Sequence, residues 1–437
     1  MPWWIMLIVI IGSLLFLMAS GMPIAFNFLI INIVGAFMLW GGGAGLEQVI
    51  LSIRDTLNSF ALLPIPLFIL MGELMFHSGV SEHMMEAVDK WLGRMPGRLA
   101  LMAVFGGTIF SAVCGASVAS VAMLGTVLTP EMEKRGYKKP MSLGPILGSG
   151  GLAIMIPPSA LAVVLGSIAQ LSVGKILLAI IGPGILMAIL YASYIIGRCT
   201  LQPSIAPSYD VPPTPLAEKL KAFAIHVLPL GAIVFLVVGV IFVGVATPSE
   251  AAATGAMGCL VLTFAFKKLN SDLIKKATLG TIRITIMMFM IIAGARTFGN
   301  ILAFTGATKG LVELAVNAPV HPLLVVIIMQ LILIAMGCFI NVVAMMMITI
   351  PIFLPVITAF GFDPIWFAAI ILLNMEMAVT TPPFGEALFV MKAVAPKGTT
   401  MGDIYLAGLP FLLCDTVAMG LMITFPKISL FIPSLMG

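Results

Sequence analysis

Long apolar stretches follow one another along almost the whole 437-residue chain, separated by short polar segments. Hydrophobic residues make up 61% of the sequence and charged residues only 9%, against about 45–50% and about 25% in soluble domains. A membrane span needs about 20 apolar residues. The sequence therefore predicts an all-α polytopic membrane protein with about 10–11 transmembrane helices, and it leaves no room for a large soluble domain.

Several other classes of protein find no support in the sequence. The net charge of +4 gives no indication of nucleic-acid binding, since in a polytopic protein the position of Lys and Arg matters more than their total. The five cysteines stand singly, so we expect them to pack as small apolar residues. No HExxH or GxSxG motif is present, and the four histidines stand apart. We expect neither an enzyme nor a cofactor; an intramembrane enzyme or a channel is the alternative from another class.

Residues 99–130 carry no charge and, as one helix, would be about 48 Å long, more than the bilayer core of about 30 Å. Their middle, SAVCGASVAS, is small and polar. Basic residues flank both ends, namely Lys90, Arg94 and Arg98 before the segment and Lys134, Arg135, Lys138 and Lys139 after it. If basic flanks are cytoplasmic, the segment enters and leaves on one side. This favours a re-entrant hairpin over two short full spans.

The next apolar segment, 141–173, is interrupted by IPPS at 156–159. Each proline lacks an N–H and frees the carbonyl four residues before it, which here means Ala153 and Ile154. An unpaired carbonyl at membrane depth costs several kcal/mol. We therefore expect a broken helix with a functional role at this point.

The second half of the chain repeats the plan. Residues 322–355 are uncharged and centred on AMGCFINVV, and residues 365–391 are broken by TTPP at 380–383. The loop 131–140 holds four basic side chains, whereas the equivalent loop 356–364 holds none. Equivalent loops on opposite sides indicate an inverted repeat, which neither a parallel repeat nor chance Gly/Pro clusters would predict. Inverted repeats with broken helices are typical of secondary transporters, which bind their substrates at the breaks.

The remaining segments suggest supporting elements. The segment 77–98 alternates apolar and charged positions at helical spacing and suits an amphipathic helix, while Glu47, Arg54 and Asp55 are expected in a loop. The expected organisation is scaffold helices at 1–76, an amphipathic arm at 77–98, the first repeat at 99–197, a cytoplasmic linker at 198–222, scaffold helices and an arm of the second half at 223–300, the second repeat at 301–391 and a C-terminal helix at 392–437.

A hairpin tip and an unwound helix bring free carbonyls, N–H groups and helix ends together, and these can replace the hydration shell of Na⁺. We expect two sodium sites formed by carbonyl and hydroxyl oxygens, with no carboxylate at either break. The first set is Gly115, Ala116, Ser117, Gly150, Ala153, Ile154 and Pro157, and the second is Gly337, Asn341, Ala378, Val379, Thr380 and Pro382. The alternative for each residue is simple packing, with glycines allowing close helix contact and prolines kinking the spans.

Ionisable residues within apolar segments are also functional candidates, because burying them in a membrane is costly. They are Glu73, His226, Glu250, Arg283, Arg296, Glu376, Glu386 and Asp415. Glu376 and Glu386 flank TTPP, where they either tune a cavity or form a salt bridge between spans. The candidate substrate contacts are Ser120, Ser149, Pro158, Thr381, Pro383 and Arg296, the last because its charge suits an anion.

Five ordered motifs extend this interpretation. They are LMASGMPIAF at 17–26, PLFILMGELM at 66–75, GPILGSGGLAIMIPPS at 144–159, GVATPSEAAATGA at 244–256 and AVTTPPFGEAL at 378–388. With them the chain resembles, nearly end to end, the large membrane subunit (DctM-like) of tripartite ATP-independent periplasmic (TRAP) transporters. The family's hairpin tips fall on 115–117 and 337–341, and its proline breaks on 157–158 and 380–383. Where the family tip often reads GSAVAD, this chain has GASVAS, so Ser120 stands where an acid is common.

The resemblance implies a function and two partners. It implies an elevator-type fold that imports a small organic acid anion together with Na⁺ across the bacterial inner membrane. It also implies a separate small four-helix membrane subunit and a periplasmic substrate-binding protein, which does most of the substrate selection. A self-sufficient Na⁺/anion symporter with similar hairpins is the alternative.

Overall fold

The computed structural model describes residues 2–93, 95–207 and 214–436. Arg94 of the expected arm and residues 208–213 of the expected linker lie outside the described residues. Those that are described form α-helices and two short 3-10 turns, with no strand among them. The expected all-α fold is therefore confirmed.

Twelve helices cover the first half of the chain. They are α1 Trp3–Ala19, α2 Ile24–Leu39, α3 Gly43–Leu57, α4 Pro64–Ser78, α5 Val80–Leu92, α6 Arg98–Cys114, α7 Ser117–Lys134, α8 Lys139–Met155, α9 Ala160–Ala169, α10 Val173–Ala179, α11 Ile181–Leu201 and α12 Leu216–His226. The second half forms α13 Leu228–Phe242, α14 Pro248–Ala265, α15 Ser271–Phe304, α16 Ala307–Asn317, α17 Pro322–Gly337, α18 Val342–Ala359, α19 Pro364–Thr380, α20 Glu386–Val394, α21 Met401–Thr424 and α22 Lys427–Ser434.

Many of these helices suit a membrane. Within the described ranges, five helical segments are each long and apolar enough to cross a bilayer. Two bent pairs of helices, α8–α9 and α12–α13, reach the required length and apolar character when each pair is counted as one span. Five shorter apolar helices, α1, α2, α6, α17 and α19, accompany them. The protein is thus a multi-pass membrane protein.

Both expected hairpins and both expected breaks are present. In the first repeat, Gly115 and Ala116 connect α6 to α7, and α8 and α9 meet at a bend of 42° over the IPPS segment. In the second repeat, residues 338–341 connect α17 to α18, and residues 381–385 separate α19 from α20. The two repeats therefore present the same order of elements, a hairpin followed by a broken helix.

The helices pack in two groups. In the scaffold group, α4 packs on α14 and α15, and α2 packs on α3 and α15. In the hairpin group, α6 and α7 pack on α8, α17 packs on α19, and α8 also contacts α19 and α21. The contact of α8 with α19 joins the broken helices of the two repeats. The groups meet where α4 contacts α6 and α9, and where α15 contacts α18.

The expected loop around Glu47, Arg54 and Asp55 is instead helix α3. Its buried residues are Gly45, Val49, Ser52 and Thr56. Their spacing of three or four residues places them on one face of the helix, and this face packs against α2 and α15. The charged residues that suggested a loop occupy the opposite face.

The amphipathic arm is shorter than the expected 77–98. His77 belongs to the last turn of α4, which ends at Gly79, a residue with φ of +68°. The arm helix α5 begins at Val80 and ends at Gly93, which also has positive φ. Two glycines in a conformation that other residues rarely adopt thus set the limits of this helix.

Two further boundaries differ from the expectation. The linker 198–222 is partly helical, because α11 continues to Leu201 and α12 begins at Leu216. The C-terminal segment 392–437 holds the end of α20 and two further helices. Helix α21 starts at a capping box in which Thr400 and Asp403 bond each other's backbone N–H groups, and Pro426 separates it from α22.

Helix α15 extends beyond residue 300, the expected end of the segment of scaffold helices and arm at 223–300. It contains 34 residues and is therefore about 51 Å long at 1.5 Å per residue. Its first turns carry the basic residues Lys275 and Lys276.

Candidate functional site

A cavity of about 260 Å³ lies where the two hairpins and the two broken helices meet. The first repeat contributes residues 114–119, Ile154, Ala160 and Leu161, and the second contributes residues 341–343, Val379 and Glu386. The opposite wall comes from the scaffold group, with Phe68, Ile69, Gly72, Glu73 and Phe76 of α4 and Ile284, Met287 and Met288 of α15. The cavity thus lies at the boundary between the two helix groups.

The first tip exposes the start of a helix to the cavity. Gly115 has φ of +62°, the left-handed conformation that lets the chain reverse between α6 and α7. Ala116 is the N-cap residue of α7, and this helix start has no side-chain cap. The N–H groups at a helix start lack intrahelical partners and attract negative charge. The start of α7 is therefore suited to hold an anion.

Ser117, the first residue of α7, adds a second polar group at this place. Its side chain is buried at the cavity wall, with 7% of its surface exposed. Its hydroxyl oxygen has no hydrogen-bond partner among the described residues. Buried hydroxyls normally have a partner, so the Ser117 hydroxyl is an exception at the cavity wall.

The first tip fits closely against the scaffold group. A Cβ atom at Gly72 of α4 would overlap the Cys114 carbonyl oxygen at the end of α6. On the other side of the tip, a Cβ at Gly115 would lie 3.1 Å from the Pro158 carbonyl oxygen of the first break. Two glycines therefore allow the backbones of α4, the tip and the break to approach one another.

The second tip is closed by its own side chains. Asn341 caps α18, with its Oδ1 accepting a hydrogen bond of 2.9 Å from the Val343 N–H. Its Nδ2 donates to Oε1 of Glu386, the first residue of α20. A carboxylate therefore lies at the second break, where we had expected carbonyl and hydroxyl oxygens only. From the sequence, Glu386 is expected as a neighbour of TTPP and not as a ligand.

A second acid faces the cavity from the scaffold group. Glu73 of α4 lines the cavity, and its Oε2 lies 3.3 Å from Nε2 of His77 one turn later. Among the described lining residues, Glu73 and Glu386 are the side chains with an ionisable carboxyl, and no Lys or Arg is present. The cavity therefore combines a helix start suited to an anion with carboxylates suited to a cation.

Six of the predicted ion-binding residues meet in this cavity. They are Gly115, Ala116, Ser117, Ile154, Asn341 and Val379. Ala153 and Thr380 are buried next to two of them, and Pro382 is half-buried within the second break. The structure thus brings residues from both predicted sets into one place.

Other predicted residues serve helix packing. A Cβ at Gly150 would overlap Cγ2 of Val121 in α7, and a Cβ at Gly337 would lie 2.6 Å from that of Ala378 in α19. Pro157 faces a different, apolar cleft between α6, α11 and α13. For Gly150 and Gly337, close helix contact is what the structure shows.

Two of the predicted substrate contacts belong to a buried hydroxyl cluster behind the first tip. Ser111 Oγ donates to Ser120 Oγ at 3.1 Å and approaches the Ser149 carbonyl at 3.3 Å. All three residues are fully buried. The cluster joins α6, α7 and α8 and does not line the cavity.

The remaining substrate candidates also lie outside the cavity wall. The Thr381 hydroxyl donates to the Met377 carbonyl at 2.6 Å, within the last turn of α19. The Pro383 carbonyl accepts from Tyr405 at 3.0 Å, and Pro158 is buried behind the first tip. Arg296 is an exposed residue of α15.

The scaffold wall of the cavity was missed by sequence reasoning. Gly72 and Glu73 lie in the motif PLFILMGELM, and Glu73 was noted as an ionisable residue in an apolar segment, but neither was placed at the breaks. Ile284, Met287 and Met288 look like ordinary span residues. Their place in the wall depends on tertiary packing, for which the sequence carries no local signal.

Residues 11–428 match the family model described as the DctM component of the tripartite ATP-independent periplasmic transporter. The chain belongs to this family. This DctM-family chain is 28% identical to the ectoine TRAP transporter large permease protein TeaC of Halomonas elongata, over 98% of the chain and 99% of TeaC. It is 30% identical to the C4-dicarboxylate TRAP transporter large permease protein DctM of Pseudomonas aeruginosa, over 90% of each.

A third relative and a solved structure agree with the assignment. The sialic acid TRAP transporter large permease protein SiaM of Vibrio cholerae is 27% identical over 96% of each chain. The crystal structure of the Alcanivorax borkumensis YdaH transporter, with its unusual topology, superposes with a TM-score of 0.65. It covers 92% of this chain and 97% of YdaH at 14% identity, so the likeness is one of fold. The DctM-family chain is a transporter permease subunit and not an enzyme.

Proposed function

We propose that this permease imports a small organic acid anion across the bacterial inner membrane, driven by Na⁺, and that both bind in the cavity between the tips. The observation that carries the proposal is the uncapped start of α7 with the unpartnered Ser117 hydroxyl, in the same cavity as Glu73 and Glu386. An anion alone would be repelled by the two carboxylates. Cations bound beside it remove that repulsion, and this is the physical basis of coupling.

The cation ligands would come from both repeats. The ends of α8 and α19 bring Ile154 and Val379 to the cavity, and helix C-termini carry partial negative charge. Asn341 and Glu386 supply side-chain oxygens beside them. Oxygen ligands of this kind suit a hard cation such as Na⁺.

The class of substrate follows from the relatives. Their names include a C4-dicarboxylate and sialic acid as well as ectoine, and the first two are organic acids. A carboxylate group is also what the start of α7 is suited to hold. We therefore propose an organic acid, with the choice among acids left largely to a binding protein.

An elevator motion is compatible with the two helix groups. The hairpin group holds both tips and both breaks, and the scaffold group supplies only the wall formed by α4 and α15. In the proposed cycle the hairpin group carries the bound anion along that wall. The tight fit of Gly72 against Cys114 would be made and broken during the motion.

The proposed partners follow from the family. A tripartite system contains a periplasmic substrate-binding protein and a small membrane subunit in addition to the DctM component. We propose that this chain works with both of them, as separate chains. The alternative is a self-sufficient Na⁺/anion symporter.

Uptake by proteoliposomes tests the proposal. The permease is reconstituted with its small subunit, and uptake of labelled organic acids is measured with and without an inward Na⁺ gradient, in the presence and absence of the binding protein. We expect saturable uptake that needs both the gradient and the binding protein. Equal rates without the gradient would remove the sodium coupling, uptake without the binding protein would favour the symporter, and uptake that does not saturate would favour a channel.

A further inference from the structure

The cavity between the tips has one polar end and one apolar wall. At the first tip, the uncapped start of α7 carries the unpartnered hydroxyl of Ser117. The wall formed by α4 and α15 consists mainly of apolar side chains, namely Phe68, Ile69, Phe76, Ile284, Met287 and Met288. Any ligand of this cavity therefore meets hydrogen-bond donors at one end and hydrocarbon along the scaffold wall.

Among the helix starts at this cavity, the start of α7 is the one left for a ligand. Asn341 caps α18, Ser159 caps α9, and α20 begins with the carboxylate of Glu386 itself. Asn341 also donates to Glu386, so its amide can offer at most one further N–H. The Cys114 thiol in the wall is a weak donor. The donors suited to a carboxylate are therefore concentrated in one place and are enough for one such group.

Positive side chains are missing from the described part of the cavity wall. The two arginines of α15, Arg283 and Arg296, are exposed and lie outside this wall. The buried acids Glu376 and Asp415 lie outside it as well. A second carboxylate on a substrate would therefore lie against apolar side chains or beside the lining carboxylates. Both positions are costly, because the first leaves a charge unpaired and the second brings like charges together.

Hydroxyl groups on the body of a substrate meet the same difficulty. Apart from Glu73, which lies 3.3 Å from His77, the scaffold side chains in the wall offer aliphatic, aromatic and thioether surfaces. A hydroxyl buried against such surfaces loses its hydration without gaining a hydrogen bond. Apolar groups gain from the same burial, and methionine side chains adapt to bodies of different shape. The scaffold wall thus favours a hydrocarbon body over a hydroxylated one.

We propose, in an inference that rests on the proposed function, that the substrate is a small monocarboxylate with an apolar body free of hydroxyl groups. Its carboxylate lies at the start of α7, and its body lies against Phe68, Phe76 and the two methionines of α15. The cavity volume of about 260 Å³ is below the range of about 300–1,000 Å³ for sites of drug-sized ligands, so the acid is smaller than these. The permease itself then discriminates against dicarboxylates and sugar acids, in addition to any selection by a binding protein.

The division of the cavity between the two helix groups suits such a ligand. The carboxylate end belongs to the hairpin group, and the apolar wall belongs to the scaffold group. Because apolar contacts are non-directional, a hydrocarbon body can slide along the wall while its carboxylate stays at α7. A hydroxylated body bonded to the scaffold would have to break those hydrogen bonds in every transport cycle.

Calorimetric titration of the full-length permease with its small subunit tests the selection directly, because no binding protein is present. Succinate has a second carboxylate where isocaproate has an isopropyl group, and gluconate carries hydroxyls on the carbon chain of hexanoate. In the presence of Na⁺, isocaproate and hexanoate should each bind at least about tenfold more tightly than their polar counterparts. Equal or tighter binding of succinate or gluconate would overturn this inference and leave the proposed function standing. Absence of Na⁺-dependent binding of all these acids would overturn both.

A single substitution in the apolar wall should shift the selection towards dicarboxylates. Met287 lines the cavity and is 48% exposed, so Met287→Lys can bring an ammonium group to the body of the substrate. The affinity for succinate relative to isocaproate should then rise by about tenfold or more. Met290→Lys is the matched control, since Met290 lies on the same helix, is 43% exposed and is outside the wall; it should keep the wild-type ratio. An unchanged ratio for Met287→Lys, or an equal rise in both variants, would overturn the placement of the body at this wall, and the wild-type titrations need neither variant.

Discussion

The two hairpin tips occupy equivalent places in their repeats but satisfy their helix ends differently. At the first tip, two residues connect the helices and α7 starts without a side-chain cap. At the second tip, four residues connect them, and Asn341 caps α18 while it donates to Glu386. One tip thus leaves backbone N–H groups for a ligand, and the other uses side chains of the protein and adds a carboxylate.

Under the proposed function, this difference gives the two repeats different tasks. A helix start with unsatisfied N–H groups attracts an anion, and a carboxylate with an amide attracts a cation. The repeats share one architecture, so the division of tasks rests on a few side chains. Substitutions at single positions should therefore separate anion binding from cation binding.

The largest effect is expected where the first tip fits against α4. Gly72→Ala places a methyl group onto the Cys114 carbonyl oxygen. Because this is a backbone atom, it cannot relieve the overlap by a change of rotamer, and overpacking of this kind costs about 1–3 kcal/mol. We expect uptake by proteoliposomes to fall by about tenfold or more. Gly231→Ala on α13, where a Cβ would meet nothing within 4 Å, is the matched control. Normal uptake by Gly72→Ala would show that the tip does not depend on this contact.

A substitution at the second tip should change the Na⁺ requirement of uptake. Asn341→Ala removes the cap of α18 and leaves Glu386 without its donor. Hydrogen bonds to charged groups contribute about 1.5–3 kcal/mol, so the Na⁺ concentration for half-maximal uptake should rise by about tenfold or more.

The first repeat provides the control for this variant. Ser159→Ala removes the N-cap of α9, whose Oγ accepts from the Ala162 N–H at 3.4 Å. Because loss of a cap costs about 1 kcal/mol, Ser159→Ala should lower the melting temperature about as much as Asn341→Ala does. It should leave the Na⁺ requirement of uptake unchanged. An equal rise in both variants would mean that capping alone explains the effect.

A moderate effect is expected at the first tip. Ser117→Ala removes a hydroxyl that has no partner in the described part of the protein, so the melting temperature should not fall. The KM for the organic acid should rise by about two- to tenfold, the value of one neutral hydrogen bond, with an unchanged Na⁺ requirement. Ser429→Ala in α22, which removes another buried hydroxyl without a described partner, should change neither quantity. A lower melting temperature for Ser117→Ala alone would point to a structural role.

The smallest effect is expected at Arg296. Its side chain is exposed on α15 and lies outside the cavity wall, and substitutions at such positions usually change free energies by less than about 0.5 kcal/mol. Arg296→Gln should therefore change the KM for the organic acid by about twofold or less. A large increase in KM would show that the anion meets this guanidinium at another stage of transport.

The sequence predicted the tips and breaks because their signals are local. Proline removes an N–H wherever it stands, and Gly115 interrupts an uncharged segment that is too long for one span, so both breaks were located to within a few residues. The same holds for Asn341 and Ser117, which are polar residues at the predicted tips.

The sequence did not predict which helices form the opposite wall, because packing between distant helices leaves no local signal. Gly72 approaches the carbonyl oxygen of Cys114, a residue 42 positions away in the sequence. The role of Glu386 depends on its approach to Asn341, and hydropathy does not report such pairs. Likewise, the charges of α3 suggested a loop, since only the packing of its other face identifies it as a helix.

The length of α15 connects the geometry of the cavity with the thickness of the bilayer. Its 34 residues exceed the hydrocarbon thickness by about 20 Å, and a long helix adapts to a thinner membrane by tilting, at a modest cost per ångström of mismatch. Since α15 also forms part of the cavity wall, a change of tilt would reposition Met287 and Met288. Lipids with shorter or longer acyl chains should consequently alter the rate of turnover without any change in the protein.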